Sequence, residues 1–332
     1  MPYPVLARTL RGLEELAAAE VREQLAPRSI ALAHRELRFE TPSLADALTL
    51  GVADDVFLVV ADLDFVGHTR RDLQSLRKSI RCIDLDTAAA RIAGLRPVRA
   101  KTFDVTASVR GRHNYSRFDL EDAVGDAVSA ATGWSYRSRR NGRPPQTSLT
   151  LRVHATPERT TAAVRLGERP LHHRGYRVAS RPGALHPPLA RALVRLAEPA
   201  ERLRDPFCGT GTIPIEAKLA RPHLAVCASD VDPGAVAAAR RNAAAAGVRI
   251  DLHVADAGRL AGPIESIVTN PPWGLRVASV ELEPFWRQAR RAAGRVALVV
   301  PAPAIPHGFE VLHRSFVRVS GTAAEIVVLA AR

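Results

Sequence analysis

Four short polar corners recur through the last third of the 332-residue chain, each following an apolar stretch. The first is Asp205-Pro206-Phe207-Cys208-Gly209-Thr210-Gly211-Thr212, where two glycines let the backbone turn sharply and approach a ligand closely. A phosphate-binding loop is the first chemistry to weigh, but Pro214 occupies the third glycine position of G-x-G-x-x-G and no phosphate-loop lysine follows. The second corner, Ser229-Asp230-Val231-Asp232, places Asp230 25 residues after Asp205, the length of one helix-and-strand crossover. A carboxylate there can accept both hydroxyls of a ribose. The third, Ala255-Asp256-Ala257, puts Asp256 another 26 residues on, where it can accept from the amino group of an adenine. Taken singly, each aspartate is as readily a helix N-cap or turn former. Their recurrence at successive strand ends describes a site for an adenosine.

The fourth corner is Asn270-Pro271-Pro272-Trp273-Gly274. Two prolines remove two backbone donors and stiffen the turn, which leaves the Asn270 amide oxygen and the Pro271 carbonyl as fixed acceptors beside a ring able to stack on a base. An exocyclic amine fits between them. Acceptors on both of its protons favour a pyramidal nitrogen and free the lone pair to attack an electrophilic methyl.

The elements around these corners alternate strand and helix, the pattern of a parallel sheet with crossovers. The segments LRD, AVCASD, IDLHVAD, ESIVTN and RVALVVP read as strands, with helices at IPIEAKLA, AVAAARRNAAAA and LEPFWRQARRAA. A last strand pair, FEVLHRSFVRVSG and AAEIVVLAA, turns at Gly321. Ligands of open α/β sheets bind beyond the carboxyl ends of the strands, so the four corners are expected to line one crevice.

The front half has a different pattern. A strand over Val5–Thr9, a helix carrying Leu13, Leu16, Ala17, Val21 and Leu25, strand RELRFE, a helix from Leu44 to Gly51 and buried strand DVFLVVADLDF give a β-α-β-α-β order. A second α+β module follows, with helices LQSLRKSI, TAAARIAGL and DLEDAVGDAVSAATG and strands TFDVTASV, SLTLRVHA and TTAAVRLG. The acids of FDLEDAVGDAV read as a solvated helix face.

Composition excludes several classes. No run approaches the roughly 18 apolar residues of a membrane span, and the first twenty residues carry acids and an amphipathic pattern where a secretion signal needs a basic cluster and an apolar run, so export is not expected. Three distant cysteines form neither a disulfide framework nor a zinc cluster, which fits a reducing cytoplasm. The net charge of +13 predicts a polyanionic partner, and residues 134 to 181 hold eleven arginines against two acids. Arg137, Arg139, Arg140, Arg143, Arg174 and Arg177 are therefore the candidate contacts to that polyanion. His172, His173 and His186 flank the expected domain junction at a spacing that fits no zinc site well, so no metal is expected. Cys208 has no partnered base in view, and Glu216 is assigned no chemistry.

The motifs DPFCGTGT, SDVDPGAV and NPPWG resemble the amino-methyltransferase signatures of class I S-adenosylmethionine enzymes. LHHRGYR and ALHPPLARALVRLA ahead of DPFCGTGT are similar to the THUMP-containing family that methylates guanine N2 in RNA, and the similarity spans nearly the whole chain. LRGLEELAAAEV resembles that family's ferredoxin-like unit, and DLEDAVGDAVSAATGW its THUMP module. The resemblance implies an α/β fold: a C-terminal Rossmann-like class I methyltransferase domain with a mostly parallel seven-stranded sheet over 201–332. Ahead of it would come a ferredoxin-like α+β unit over 1–66, a THUMP-like RNA-binding module over 67–170, and a linker with its helix over 171–200. It implies that Asp205, Phe207, Cys208, Gly209, Thr210, Gly211 and Thr212 surround the methionine part of S-adenosyl-L-methionine. Asp230 and Val231 would meet its ribose, Asp256 and Ala257 its adenine, and Asn270, Pro271, Pro272 and Trp273 the target base. The family more often has serine at Thr210 and tyrosine at Trp273. The implied reaction is methylation of guanosine N2 in structured RNA, tRNA ahead of ribosomal RNA. Adenine-N6 methylation of DNA, or an RNA-binding protein with a relic fold, are the alternatives.

Overall fold

The computed structural model describes residues 2–63, 67–74, 80–142, 146–156, 159–260, 264–272, 282–301, 306–319 and 321–332. These residues build two sheets. The front one contains β1 (Tyr3–Arg8), β2 (Ile30–Ala33), β3 (Glu36–Thr41), β4 (Asp55–Leu63), β5 (Thr102–Val109), β6 (Ser135–Tyr136), β7 (Leu149–Ala155) and β8 (Thr160–Arg165), in the order β2-β3-β1-β4-β8-β7-β5-β6. Helices Glu14–Leu25, Leu85–Ile92 and Arg117–Thr132 bury Val21, Ile92 and Val124 in one apolar cluster with Val5, Leu58, Val105, Leu151 and Val164 of the strands. A fully buried aliphatic or aromatic side chain contributes roughly 1.5–3 kcal/mol, so this shared layer dominates the stability of the front half.

Three features of the front half depart from the sequence pattern. β2 is an added strand, hairpinned to β3 through Arg35 in the left-handed region (φ 61°), and three of its four residues are exposed. No apolar alternation marked it because it buries almost nothing. β4 pairs antiparallel with both β1 and β8, Leu58 facing Val5 on one side and Val164 on the other. The segments 1–66 and 67–170 therefore contribute to one continuous sheet. Of the helix Arg117–Thr132 acids expected to form a solvated face, Asp126 is exposed, but Asp119, Glu121 and Asp122 are engaged by the protein, and for these three the expectation is corrected here. Glu121 is buried and accepts from the Ala107 amide at 2.8 Å. Asp119 closes a capping box with Ser116. Asp122 accepts from the Tyr136 hydroxyl at 2.9 Å and from Arg140 at 2.7 Å. Neighbouring strands supply those donors, which helical periodicity alone cannot reveal. The predicted helix LQSLRKSI falls largely outside the described residues.

The rear sheet contains β9 (Arg202–Asp205), β10 (Ala225–Asp230), β11 (Asp251–Val254), β12 (Ile264–Thr269), β13 (Ala293–Val300), β14 (Phe309–Val319) and β15 (Thr322–Ala331), in the order β11-β10-β9-β12-β13-β15-β14. The pairings from β11 through β13 are parallel, and β15 runs antiparallel to both its neighbours, so the sheet is mixed. From β9 the chain winds outward to β10 and β11, then returns to place β12 on the other side of β9. This reversal opens a crevice beyond the carboxyl ends of β9 and β12. The helix Pro187–Ala197, started by two prolines whose missing N–H groups cost nothing in a first turn, feeds into β9. It buries Leu189 and Leu193 in the same cluster as the front sheet, so one core runs through both halves.

Candidate active site

All four polar corners meet. Asp205, Asp230, Asp256 and Asn270 line a single cleft of about 960 Å³ at the carboxyl edge of the rear sheet. Phe207, Cys208, Gly209, Thr210 and Thr212 from the first corner border it, as do Val231 from the second, Ala257 from the third and Pro271 and Pro272 from the fourth. Gly211 does not line it. That residue sits at φ 81° at the start of helix Thr212–Ala220, where an added Cβ would lie 3.1 Å from the Cβ of Ala239. Its role is to let the loop turn against the neighbouring helix. Trp273 lies outside the described residues.

Local hydrogen bonds hold the corners together. The Cys208 amide donates to the Ser229 carbonyl at 2.9 Å, and the Gly209 amide to Asp230 Oδ2 at 2.9 Å, so the second corner clamps the first. The Thr269 hydroxyl donates to Asp205 Oδ1 at 2.6 Å, which ties the end of β12 to the end of β9. Asp232 and Asp256 do what an isolated aspartate commonly does at a helix start. Asp232 Oδ1 accepts from Gly234 N, and Asp256 Oδ1 from Gly258 N, each at 2.7 Å. At Asp256 the cap and the cleft are served by one side chain.

The electrostatics of the cleft favour a cationic guest. Asp205 is fully enclosed, and burial pushes its carboxyl up to about 7, with the nearby Asp230 adding to the effect and the Thr269 hydroxyl opposing it. A positive charge in the cleft would reverse that penalty. Burial likewise raises the Cys208 thiol, which disfavours the thiolate a nucleophile would need. Two polar atoms are orphaned: the Thr210 hydroxyl oxygen and the Asn270 Oδ1 are both buried without a hydrogen-bond partner among the described residues. Unsatisfied buried acceptors cost free energy, and at the wall of a cleft they are partners for a ligand.

The sequence did not signal the fourth side of the cleft. Arg177, Arg181 and the run from Pro182 to His186 border it, together with Pro284 and Phe285 from helix Glu283–Ala292. Phe285 meets Phe207 edge to face at 5.4 Å between ring centroids. No spacing rule links residues 177–186 to a strand tip, because their place depends on how the linker crosses the sheet.

The candidate RNA-contact arginines divide into groups. Arg137 is exposed. Arg139 pairs with Asp104 at 2.6 Å, and Arg140 with Asp119 and Asp122 at 2.8 and 2.7 Å. Arg174 is spent inside the protein: it donates to Glu216 at 2.8 Å and to the Leu171 and Gly51 carbonyls at 2.7 Å each. Arg177 borders the cleft, and Arg143 lies outside the described residues. Glu216, fully buried, gathers Arg174, Tyr176 and Arg191 and so belongs to the joint between the halves. His186 Nε2 bonds Asp54 Oδ1 at 2.7 Å and His172 Nδ1 meets the Asp54 carbonyl at 3.1 Å, a second tie across that joint. No helix among the described residues is long and apolar enough to cross a membrane.

A reversal-point cleft rimmed by acidic strand ends and a rigid Asn-Pro-Pro corner defines an α/β methyltransferase. Residues 174–297 match the RMKL-like methyltransferase domain family. The chain belongs to the family of tRNA guanine-N2 methyltransferases: it is 35% identical over 250 residues to the tRNA (guanine(6)-N2)-methyltransferase of Thermus thermophilus, covering 69% of this chain and 72% of that one. The enzyme of the same name from Archaeoglobus fulgidus is 28% identical over 315 residues, covering 80% of each chain. In three dimensions the chain is similar to TrmN from Thermus thermophilus, with a TM-score of 0.81, 31% identity and 99% of both chains covered.

Proposed function

We propose that the chain transfers a methyl group from S-adenosylmethionine to the exocyclic N2 amine of a guanosine in tRNA. The observation that carries this reading is the buried, unpartnered Asn270 Oδ1 standing in the same cleft as Asp205, Asp230 and Asp256. The residues present fit such a donor. Asp230 spends one lone pair of each oxygen on the Gly209 and Asp232 amides and keeps others for ribose hydroxyls. Asp256 faces the adenine, and the loop from Asp205 to Thr212 encloses the amino-acid end. When bound, the donor supplies a methyl carried on a positively charged sulfur.

The chain's own residues prepare the acceptor. Asn270 Oδ1 and the Pro271 carbonyl each accept one proton of the amine, which pyramidalises the nitrogen and aims its lone pair into the cleft. Pro271 and Pro272 stiffen the backbone that carries these acceptors, since neither can rotate about φ. Trp273, which lies outside the described residues, takes its role as stacking surface for the base from the sequence motif alone. Formation of the N–C bond would be matched by breaking of the methyl–sulfur bond, whose electron pair stays on sulfur as a neutral thioether; the amine nitrogen takes up the positive charge and sheds one proton to water, so no cysteine nucleophile is needed. The front sheet supports RNA binding, with Arg137 and its neighbours as phosphate contacts. The division into a ferredoxin-like unit over 1–66, a THUMP-like module over 67–170, a linker over 171–200 and a methyltransferase domain over 201–332 is part of this reading.

The test is nucleoside mass spectrometry of tRNA incubated with the protein and isotopically labelled donor. Label in N2-methylguanosine is the expected outcome. Label confined to N6-methyladenosine, or transfer only to ribosomal RNA, would overturn the proposal.

A further inference from the structure

The segment from Arg174 to His186 is stapled across the cleft at three points. Arg174 and the Tyr176 hydroxyl donate to Glu216 on the helix that follows the first corner. Asn242, on the helix that follows the second, accepts from the Ala179 amide at 2.8 Å and donates to the Ala179 carbonyl at 2.9 Å. The same Asn242 amide donates to the Thr210 carbonyl at 2.9 Å, so one buried side chain binds this segment directly to the loop of the first corner. Arg181 pairs with Asp232. Between the first two staples stands Arg177, half-buried and lining the cleft; its backbone amide donates to the Arg174 carbonyl at 3.1 Å, while its guanidinium forms no hydrogen bond or ion pair with any described residue.

We infer that Arg177 recognises the carboxylate of the amino-acid end of the methyl donor. The inference rests on the donor reading above. Ribose at Asp230 and adenine at Asp256 occupy the ends of β10 and β11, which step outward from β9, so the amino-acid end must return to the first corner. Arg177 is held at that corner by the Tyr176 and Ala179 ties. Asp205, Asp230 and Asp256 suit the hydroxyl and cationic groups of the donor, but its one anionic group needs a cation. Arg174 and Arg181 are already paired with acids. Arg177 alone of these three keeps its guanidinium for a guest, and a planar fork matches a carboxylate.

Calorimetric titration of the full chain with two ligands tests this: S-adenosylhomocysteine, which carries the carboxylate, and methylthioadenosine, the same nucleoside without the amino acid. Arg177→Gln should weaken S-adenosylhomocysteine about 10- to 100-fold, the loss expected for one charge-assisted bond, and leave methylthioadenosine within twofold. Arg177→Lys should lie between. Equal losses for both ligands would mean a merely structural role and overturn the inference. Unchanged S-adenosylhomocysteine affinity with a raised KM for tRNA and a shallower salt dependence would also overturn it, by assigning Arg177 to an RNA phosphate. Wild-type protein that binds neither ligand would instead defeat the donor reading itself.

Discussion

Replacing Asp205 with Asn should make the ligand-free protein more stable and at the same time a poorer host for a cationic ligand. The Asp205 carboxyl is raised from 3.8 to about 7, chiefly by burial. The folded state thus retains a proton that the unfolded chain releases between those values, and stability falls as pH rises through that window. The penalty is absent below pH 4, grows to pH 7 and is constant above it. A separation of about 3 pH units at about 1.4 kcal/mol each sets an upper limit of about 4 kcal/mol at pH 8. Asparagine keeps the shape, and its Oδ1 can still accept from the Thr269 hydroxyl and the Phe207 amide, which now bond Asp205 Oδ1 at 2.6 and 3.2 Å. Scanning calorimetry of both proteins without ligand should show the variant melting higher at pH 8, by up to about 6 °C at that limit, with the gap shrinking towards pH 4. Affinity of the wild type for S-adenosylmethionine should rise as pH passes through 7, a dependence the variant lacks. A variant that melts lower at pH 8, or a gap that ignores pH, would refute the assignment of Asp205 as a buried acid awaiting a positive partner.

Two further perturbations separate the parts of the machinery. Asn270→Ala should lower the turnover number by at least about 100-fold, the scale for losing one preorganised polar contact, while S-adenosylhomocysteine affinity stays within twofold. Asp230→Ala should do the opposite and weaken the ligand about 10- to 100-fold; parallel losses in both variants would contradict this division of labour. Glu216→Ala leaves Arg174 and Arg191 buried without their carboxylate, so urea unfolding should report a loss of about 3–5 kcal/mol. A loss under about 1 kcal/mol would show that the Glu216 cluster does not hold the halves together.

Much of the site was legible because strand periodicity located the tips. The first and fourth corners combine residues that have little reason to occur together outside a ligand site, paired glycines after an aspartate and two prolines after an asparagine, while the second and third were told from ordinary N-caps only by recurring at successive strand ends. The strands of the rear sheet all formed where apolar runs predicted them, from Arg202–Asp205 to Thr322–Ala331. The front half was harder. β2 buries too little to leave a pattern, and the helix acids Glu121 and Asp122 look solvated until β5 and β6 bring their donors. Arginine clustering predicted a polyanion surface, yet it could not separate the exposed Arg137 from Arg174, whose guanidinium is consumed by Glu216 and two carbonyls.

Residue order by itself determined the local chemistry of this protein: which backbone segments turn, which carboxylates and amides stand at strand ends, and how far apart along the chain they fall. Those properties depend on a few adjacent residues and on the period of a strand or helix. Only tertiary structure decided the return of β12 beside β9 that brings Asp205 and Asn270 to one cleft, and the crossing of residues 174–186 that sets Arg177 over it. It likewise decided the fusion of two front segments through the β4–β8 pairing. Such contacts join residues tens to more than a hundred positions apart. Their stability comes from burying whole faces and satisfying each buried polar group at once, a condition no local stretch can express.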